Sequence, residues 1–190
     1  GQPTLLGPTA SVGGFFLGPI YYYFMTPFLW LFNYSPVGPA IMVALFAVAT
    51  VFLVYKIGRE FFGTKAGLIS AFLYSVSPLV IAHSRSSWNP NLVPFFSLLT
   101  LYVLYKAVAN NKAWLFILCG ILLGITMQLH YLAIFMAVIM GIYTVLTRSL
   151  LREGDSLYKK ILTILKDNFY ILIGFLVGWS PFLAFEVRHG

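Results

Sequence analysis

The sequence has few charged residues and a single cysteine. Charged residues make up 9% of the 190 residues and hydrophobic residues 60%, whereas about a quarter of an ordinary soluble domain is charged. A water-soluble globular domain is therefore excluded. Cys119 stands alone, which excludes an internal disulfide and a thiolate metal cluster.

Several familiar signals are also missing. The chain has no glycine-rich phosphate loop followed by lysine, no zinc-protease helix pair and no serine nucleophile elbow. It has no initiator methionine and no basic region ahead of a short apolar core, so we expect no signal peptide and an internal fragment of a longer chain.

The net charge is +7, but the basic residues lie beside apolar stretches and not on one continuous face, so nucleic acid is not an expected partner.

Long apolar stretches predict an all-α polytopic membrane protein. A helix needs about 20 apolar residues to cross a hydrocarbon core of about 30 Å. Stretches of about this length lie near residues 37–57, 66–83, 91–108, 112–129, 131–147 and 168–186. The sequence therefore predicts a transmembrane helix bundle of about six spans within residues 37–190.

The distribution of basic residues predicts the orientation of this bundle. The first thirty-six residues carry no charge, and ten of the twelve Lys and Arg residues fall on one alternate set of connections. Such connections are retained in the cytoplasm, so Arg85 and Arg188 are expected on the opposite, extracytoplasmic side. Apolar residues at helical spacing between lysines predict a cytoplasmic amphipathic segment at 149–166, although a plain basic linker explains the same pattern. We expect a multi-pass protein of a prokaryotic cell membrane.

Residues 1–36 are rich in glycine, proline and aromatic residues. Gly18 and Pro27 interrupt an otherwise apolar run, which predicts an outer juxtamembrane loop segment and not a straight span. Tyr21 and Tyr22 fit either of two roles, anchoring at the membrane interface or contact with a ligand, because a phenol has an apolar body and a polar tip.

One polar group is predicted between the second and third spans, at Arg85, Trp88 and Asn89. A guanidinium binds phosphate in a bidentate fashion, so Arg85 suits a lipid phosphate or pyrophosphate. It could equally reach to phospholipid headgroups as an anchor. Trp88 could stack on a sugar ring while Asn89 binds its hydroxyls; the alternatives are an interfacial tryptophan and a helix cap before Pro90.

A second polar group comprises Gln128, His130 and Tyr131, between two short spans on the same predicted side. His130 could donate to phosphate, transfer a proton or ligate a metal, and a hydrogen-bonded structural histidine is the commoner case. The histidine spacing is not diagnostic of a metal site, so no cofactor is assigned and a divalent metal is left open. Glu186 is the single carboxylate predicted on this side.

These motifs together resemble the GT-C membrane glycosyltransferases. The run Gly18 to Tyr23 with Pro27 and Phe28 is similar to the end of the first outer loop of the dolichyl-phosphate-mannose protein mannosyltransferases (glycosyltransferase family 39) and their prokaryotic relatives, the lipid A aminoarabinose transferases included. The resemblance continues through most of the chain, at Tyr55, Arg59, Phe62, Gly63, Ser77, Pro78, Ser84, Arg85, Trp88, Asn89, Pro90, Gly120, Gly124, Gln128, His130, Tyr131, Pro181, Phe182, Phe185 and Glu186.

The resemblance implies a GT-C-like bundle that transfers a hexose or pentose from a polyprenyl-phosphate donor. The expected acceptor is a protein, lipid or glycan at the extracytoplasmic face. In that family the usual catalytic base is an acidic residue ahead of the segment matching Gly18 to Tyr23, so we expect it before Gly1 and expect the fragment to be inactive alone. A transporter or flippase module, or a structural subunit of a glycan-assembly complex, would also explain polar residues at helix ends and spans broken by proline.

Overall fold

A computed structural model describes residues 5–9, 16–151 and 154–189 of the chain. Its helices are α1 (Ile20–Leu31), α2 (Val37–Phe62), α3 (Thr64–Ser75), α4 (Pro78–His83), α5 (Val93–Asn110), α6 (Ala113–Leu129), α7 (Ile134–Leu151), α8 (Leu157–Gly178) and α9 (Ser180–His189). Short 3₁₀ helices at Asn89–Leu92 and Tyr131–Ala133 lead into α5 and α7. The predicted all-α membrane fold is confirmed.

The predicted number of about six spans is not confirmed. Within the described ranges, the helical stretches long and apolar enough to cross a bilayer are Val37–Phe62, Asn89–Asn110, Tyr131–Leu150 and Leu157–Gly178. Helix α6 is apolar but shorter, with 17 residues.

The predicted second span, residues 66–83, is divided between α3 and α4. Ser77 has an extended backbone with ψ of 122°. The ring of the following Pro78 disfavours helical geometry at Ser77, and its nitrogen cannot donate a helical hydrogen bond. The helix therefore ends at Ser75 and begins again at Pro78.

The last long helix begins earlier than the predicted sixth span, residues 168–186. The Ser156 hydroxyl accepts a hydrogen bond from the backbone N–H of Lys159 and caps the start of α8. From Leu157 the helix then continues without a break to Gly178. Much of the segment 149–166 thus belongs to the same helix as the residues that follow it.

Helices α6 and α8 form the closest contact in the bundle. A Cβ atom added to Gly120 of α6 would lie 1.9 Å from the carbonyl oxygen of Ile171, and one added to Gly174 of α8 would lie 1.9 Å from that of Ile117. The two backbones can approach this closely only because glycine has no side chain. Gly120, like Gly124 one turn later, therefore acts in helix packing.

The surface of the bundle is apolar, and clusters of polar contacts lie at its two ends. Large side chains such as Val48, Phe52 and Phe135 are each more than 60% exposed, as expected where lipid is the solvent. We call the end that carries Lys56, Lys106 and Lys112 the basic end. The opposite end, which carries residues 84–91 and 128–131, is called the polar-loop end.

Candidate functional site

The two polar groups predicted from the sequence meet at the polar-loop end. The side-chain amide of Asn89 donates a hydrogen bond of 2.6 Å to the carbonyl oxygen of Leu129, and only 7% of Asn89 is exposed. This bond joins the connection before α5 to the last residue of α6. The amide group thus binds the end of α6 instead of the first turn of the helix that follows Asn89.

Gln128 connects three elements behind these loops. Its side-chain nitrogen donates to the carbonyl oxygen of Gly178 at 2.7 Å, and its side-chain oxygen accepts from the backbone N–H of Ile20 at 3.2 Å. The residue is 1% exposed, so backbone groups occupy both ends of its amide. Gly18 packs directly on this side chain, where an added Cβ would lie 2.3 Å from the Gln128 Cγ atom.

Helix α1 is attached to the same loops through Tyr21. The phenol oxygen of Tyr21 lies 2.7 Å from the Ser87 hydroxyl oxygen, and Tyr21 is 5% exposed. Burial raises the pKa of Tyr21, while the hydrogen bond to Ser87 acts in the opposite direction. The phenol therefore stays protonated at neutral pH. Tyr22 is half-buried and packs against the hydrophobic core.

A small cavity of about 160 Å³, which we call the polar cavity because an amide and an imidazole line it, opens between these loops. Four of the predicted site residues line it, together with Pro8, Thr9, Leu17 and Pro90: they are Trp88, Asn89, His130 and Tyr131. The His130 and Tyr131 rings are stacked with their centroids 4.8 Å apart. The cavity thus combines aromatic faces with an amide and an imidazole.

The hydrogen bond of His130 determines which ring nitrogen can donate. The Nδ1 atom accepts from the backbone N–H of Leu132 at 3.3 Å, so in the neutral ring the proton lies on Nε2. His130 can therefore act as a hydrogen-bond donor through Nε2.

An apolar groove of about 420 Å³ adjoins the polar cavity. It lies between α2, the α3–α4 pair and α5, and Trp88 and Pro90 line both spaces. From Trp88 the groove extends past His83 and Leu79 to Thr50 and Tyr74. A molecule with an apolar tail and a polar head could therefore occupy the groove and the cavity together.

Two further predicted site residues are Arg85 and Glu186. Arg85 is exposed in the turn after α4, and within the described part of the chain it has neither a hydrogen bond nor an ion pair, so its guanidinium is available to a ligand. The Glu186 side chain falls outside the described residues. In that same part of the chain no group of three His, Cys, Asp or Glu side chains is arranged to hold a metal ion.

Sequence reasoning assigned no role to two residues that shape this end. Ser87 is the partner of Tyr21, and the Asn91 side chain donates to the carbonyl oxygens of His83 at 2.8 Å and Ser86 at 2.9 Å. Asn91 thus closes the loop that carries Arg85. The sequence feature that could have identified both residues is their position in the run of polar residues around Trp88.

Comparison with known proteins identifies a match to one protein family. Residues 17–180 match the family described as "Dolichyl-phosphate-mannose-protein mannosyltransferase". "Putative mannosyltransferase YycA" of Bacillus subtilis (strain 168) is 26% identical over 162 residues, which are 85% of this chain and 23% of the relative. "Putative mannosyltransferase YkcB" of the same organism is 34% identical over 73 residues, 38% of this chain and 10% of the relative. The chain thus spans about a quarter or less of the length of these curated relatives. No solved structure matches it significantly.

Proposed function

Because the chain belongs to the dolichyl-phosphate-mannose-protein mannosyltransferase family, we propose that it forms the donor-binding part of a membrane glycosyltransferase. The complete protein moves a hexose, or a pentose, from a polyprenyl-phosphate donor to a protein, lipid or glycan acceptor. The reaction takes place on the extracytoplasmic side, at the polar-loop end. The family match and the mannosyltransferase names of both relatives support this proposal.

The observation that carries the proposal is the junction of the apolar groove and the polar cavity at Trp88. A polyprenyl-phosphate sugar has an apolar tail that stays in the membrane and a polar head at its surface. The groove suits the tail, and the cavity of about 160 Å³ suits one sugar ring. Trp88, 50% exposed, offers a face for stacking, and Asn89 and His130 offer hydrogen bonds to hydroxyls.

In this proposal Arg85 binds the donor phosphate. The phosphate is the leaving group, so negative charge grows on it in the transition state, and a cation beside it lowers the barrier. Arg85 lies three residues before Trp88, on the loop that Asn91 closes. Gln128 and Tyr21 act as positioning residues, because their side chains hold α1, α6 and the loop before α5 in place.

The test is transfer of labelled sugar by the full-length protein in liposomes. We expect Trp88→Ala to lower the transfer rate about tenfold, equivalent to about 1.4 kcal/mol, and Arg85→Ala to lower it about a hundredfold, as when an oxyanion-hole donor is removed. Trp114→Ala is the matched control, because Trp114 is also exposed but lies at the start of α6, at the basic end. Its rate should stay within about twofold of wild type.

Two results would contradict the proposal. Equal rates in wild type, Trp88→Ala and Arg85→Ala would remove these residues from the donor site. Movement of the intact donor across the membrane, without cleavage of the sugar–phosphate bond, would identify a transporter instead.

A further inference from the structure

A separate groove of about 350 Å³ lies toward the basic end, between α2, α5 and α7. Leu98, Leu101 and Ile139 form its apolar part, and Tyr102, Tyr105 and Tyr143 follow toward the basic end. At 1.5 Å per helical residue, the stretch of α5 from Leu98 to Tyr105 is about 10 Å long. That length fits within one leaflet, about half of a hydrocarbon core of about 30 Å. We call it the tyrosine groove.

Contacts within the protein hold the walls of the tyrosine groove in place. The Phe61 and Tyr105 rings meet edge to face with their centroids 4.7 Å apart. The Tyr102 hydroxyl donates to the Glu60 carboxylate at 2.6 Å, and this carboxylate also pairs with Lys106. Contacts within the protein therefore hold Phe61, Tyr102 and Tyr105 between α2 and α5.

The mouth of the groove carries more positive than negative charge. The ammonium groups of Lys56 and Lys106 lie 5.3 Å and 5.4 Å from the centre of the Tyr102 ring, which lines the groove. Glu60 is the carboxylate bonded to this cluster. Two cations against one carboxylate leave a surplus of one positive charge beside an apolar channel.

We propose that the tyrosine groove binds one acyl chain of an anionic phospholipid whose phosphate contacts Lys56 and Lys106. The apolar walls match the chain, and the surplus charge favours a headgroup with net negative charge over a zwitterionic one. Tyrosine hydroxyls at this depth suit the boundary between chain and headgroup. The bound lipid joins α2 to α7 across α5 and so stabilises the bundle. This site is distinct from the proposed donor site, which lies at the polar-loop end.

The test measures thermal unfolding of the full-length protein in a neutral detergent, with added phosphatidylglycerol or with phosphatidylcholine of the same chains. Phosphatidylglycerol should raise the Tm by about 2 °C at a concentration on the order of a hundred times its Kd, and phosphatidylcholine by much less. Lys56→Gln should weaken phosphatidylglycerol binding about fivefold, the effect of about one lysine. Lys112→Gln changes a basic-end lysine that, among the described residues, makes no cation–π contact with a tyrosine of the groove, and it should leave binding unchanged.

A second measurement keeps the proposal testable if a variant is unstable. Native mass spectrometry of wild type should show one retained phosphatidylglycerol, and Leu101→Trp, which fills the groove, should lose it. Equal stabilisation by both lipids, or equal lipid binding by wild type and Lys56→Gln, would overturn the proposal. A Tm that rises with protein concentration while no lipid is retained would also overturn it and would assign the groove to a second copy of the chain.

Discussion

At the scale of single residues, a buried ion pair and its neighbours connect α6, α7, α8 and the α5–α6 connection at the basic end. The Nε atom of Arg148 donates to the Asp167 carboxylate at 2.7 Å, and the Nη2 atom donates to the side-chain oxygen of Asn111 at 2.9 Å. The guanidinium also lies over the Phe116 ring, 5.6 Å from its centre. Arg148 and Asp167 are each 4% exposed, so lipid and water reach neither charge easily.

We expect each single replacement of this pair to be more harmful than the double one. Arg148→Met or Asp167→Leu leaves one buried charge without its counterion, which costs about 3–5 kcal/mol. The double variant removes both charges and should recover much of that loss. Unfolding of the full-length protein in detergent measures the free energies for this double-mutant cycle. Additive losses would show that the two side chains do not act as a pair.

At the scale of helices, the glycine contact between α6 and α8 predicts that a Gly→Ala replacement within the contact destabilises the protein, and a glycine outside it serves as the control. Gly120→Ala places a methyl group 1.9 Å from the Ile171 carbonyl oxygen, so the helices must separate, at a cost of about 1–3 kcal/mol. Gly141→Ala in α7 meets no atom within 4 Å and gains helix propensity of up to about 1 kcal/mol. Thermal unfolding should show a lower Tm for the first variant and an unchanged or higher Tm for the second. The reverse order would mean that α6 and α8 are not in close contact.

Hydropathy identified most of the helices but not all of their ends. The stretch 66–83 has the same apolar composition whether it forms one helix or two helices separated before Pro78. Membrane helices often tolerate proline, so composition could not show that the helix is interrupted there. The start of α8 at Leu157 was missed because lysines beside apolar residues fit a surface helix as well as the first turns of a longer one. Helix ends depend on caps and neighbouring helices, which periodicity does not report.

The candidate site, like the helix ends, could be predicted from the sequence only in part. The sequence indicated that the polar residues around Trp88 and His130 share one end of the bundle, because alternate connections of a membrane protein lie on the same side. The orientation of Gln128 could not be predicted, because an amide suits a substrate and a backbone group equally well. Its partners at Ile20 and Gly178 are distant in sequence, and only the packing of α1 and α8 on α6 brings them together.

At the scale of the whole molecule, the two ends differ in charge. The polar-loop end carries Arg85 in its exposed turn, whereas the basic end carries Lys56, Lys106 and Lys112. Insertion retains lysine-rich connections in the cytoplasm, so the proposed donor site should face the outside. A donor phosphate at Arg85 would then lie in the outer leaflet and an anionic phospholipid at Lys56 in the inner one.

Cysteine labelling tests this orientation directly. Cys119 is fully buried and should not react, so engineered cysteines can be introduced into a full-length background in which any cysteines elsewhere are replaced by serine. Ser86→Cys, in the exposed loop of the polar-loop end, should react with a membrane-impermeant maleimide in intact cells. Thr64→Cys, exposed at the start of α3, should react only after the cells are permeabilised, because we expect the lysines at its end to hold it in the cytoplasm. The opposite labelling pattern would place the polar cavity in the cytoplasm and would contradict a donor site on the extracytoplasmic side.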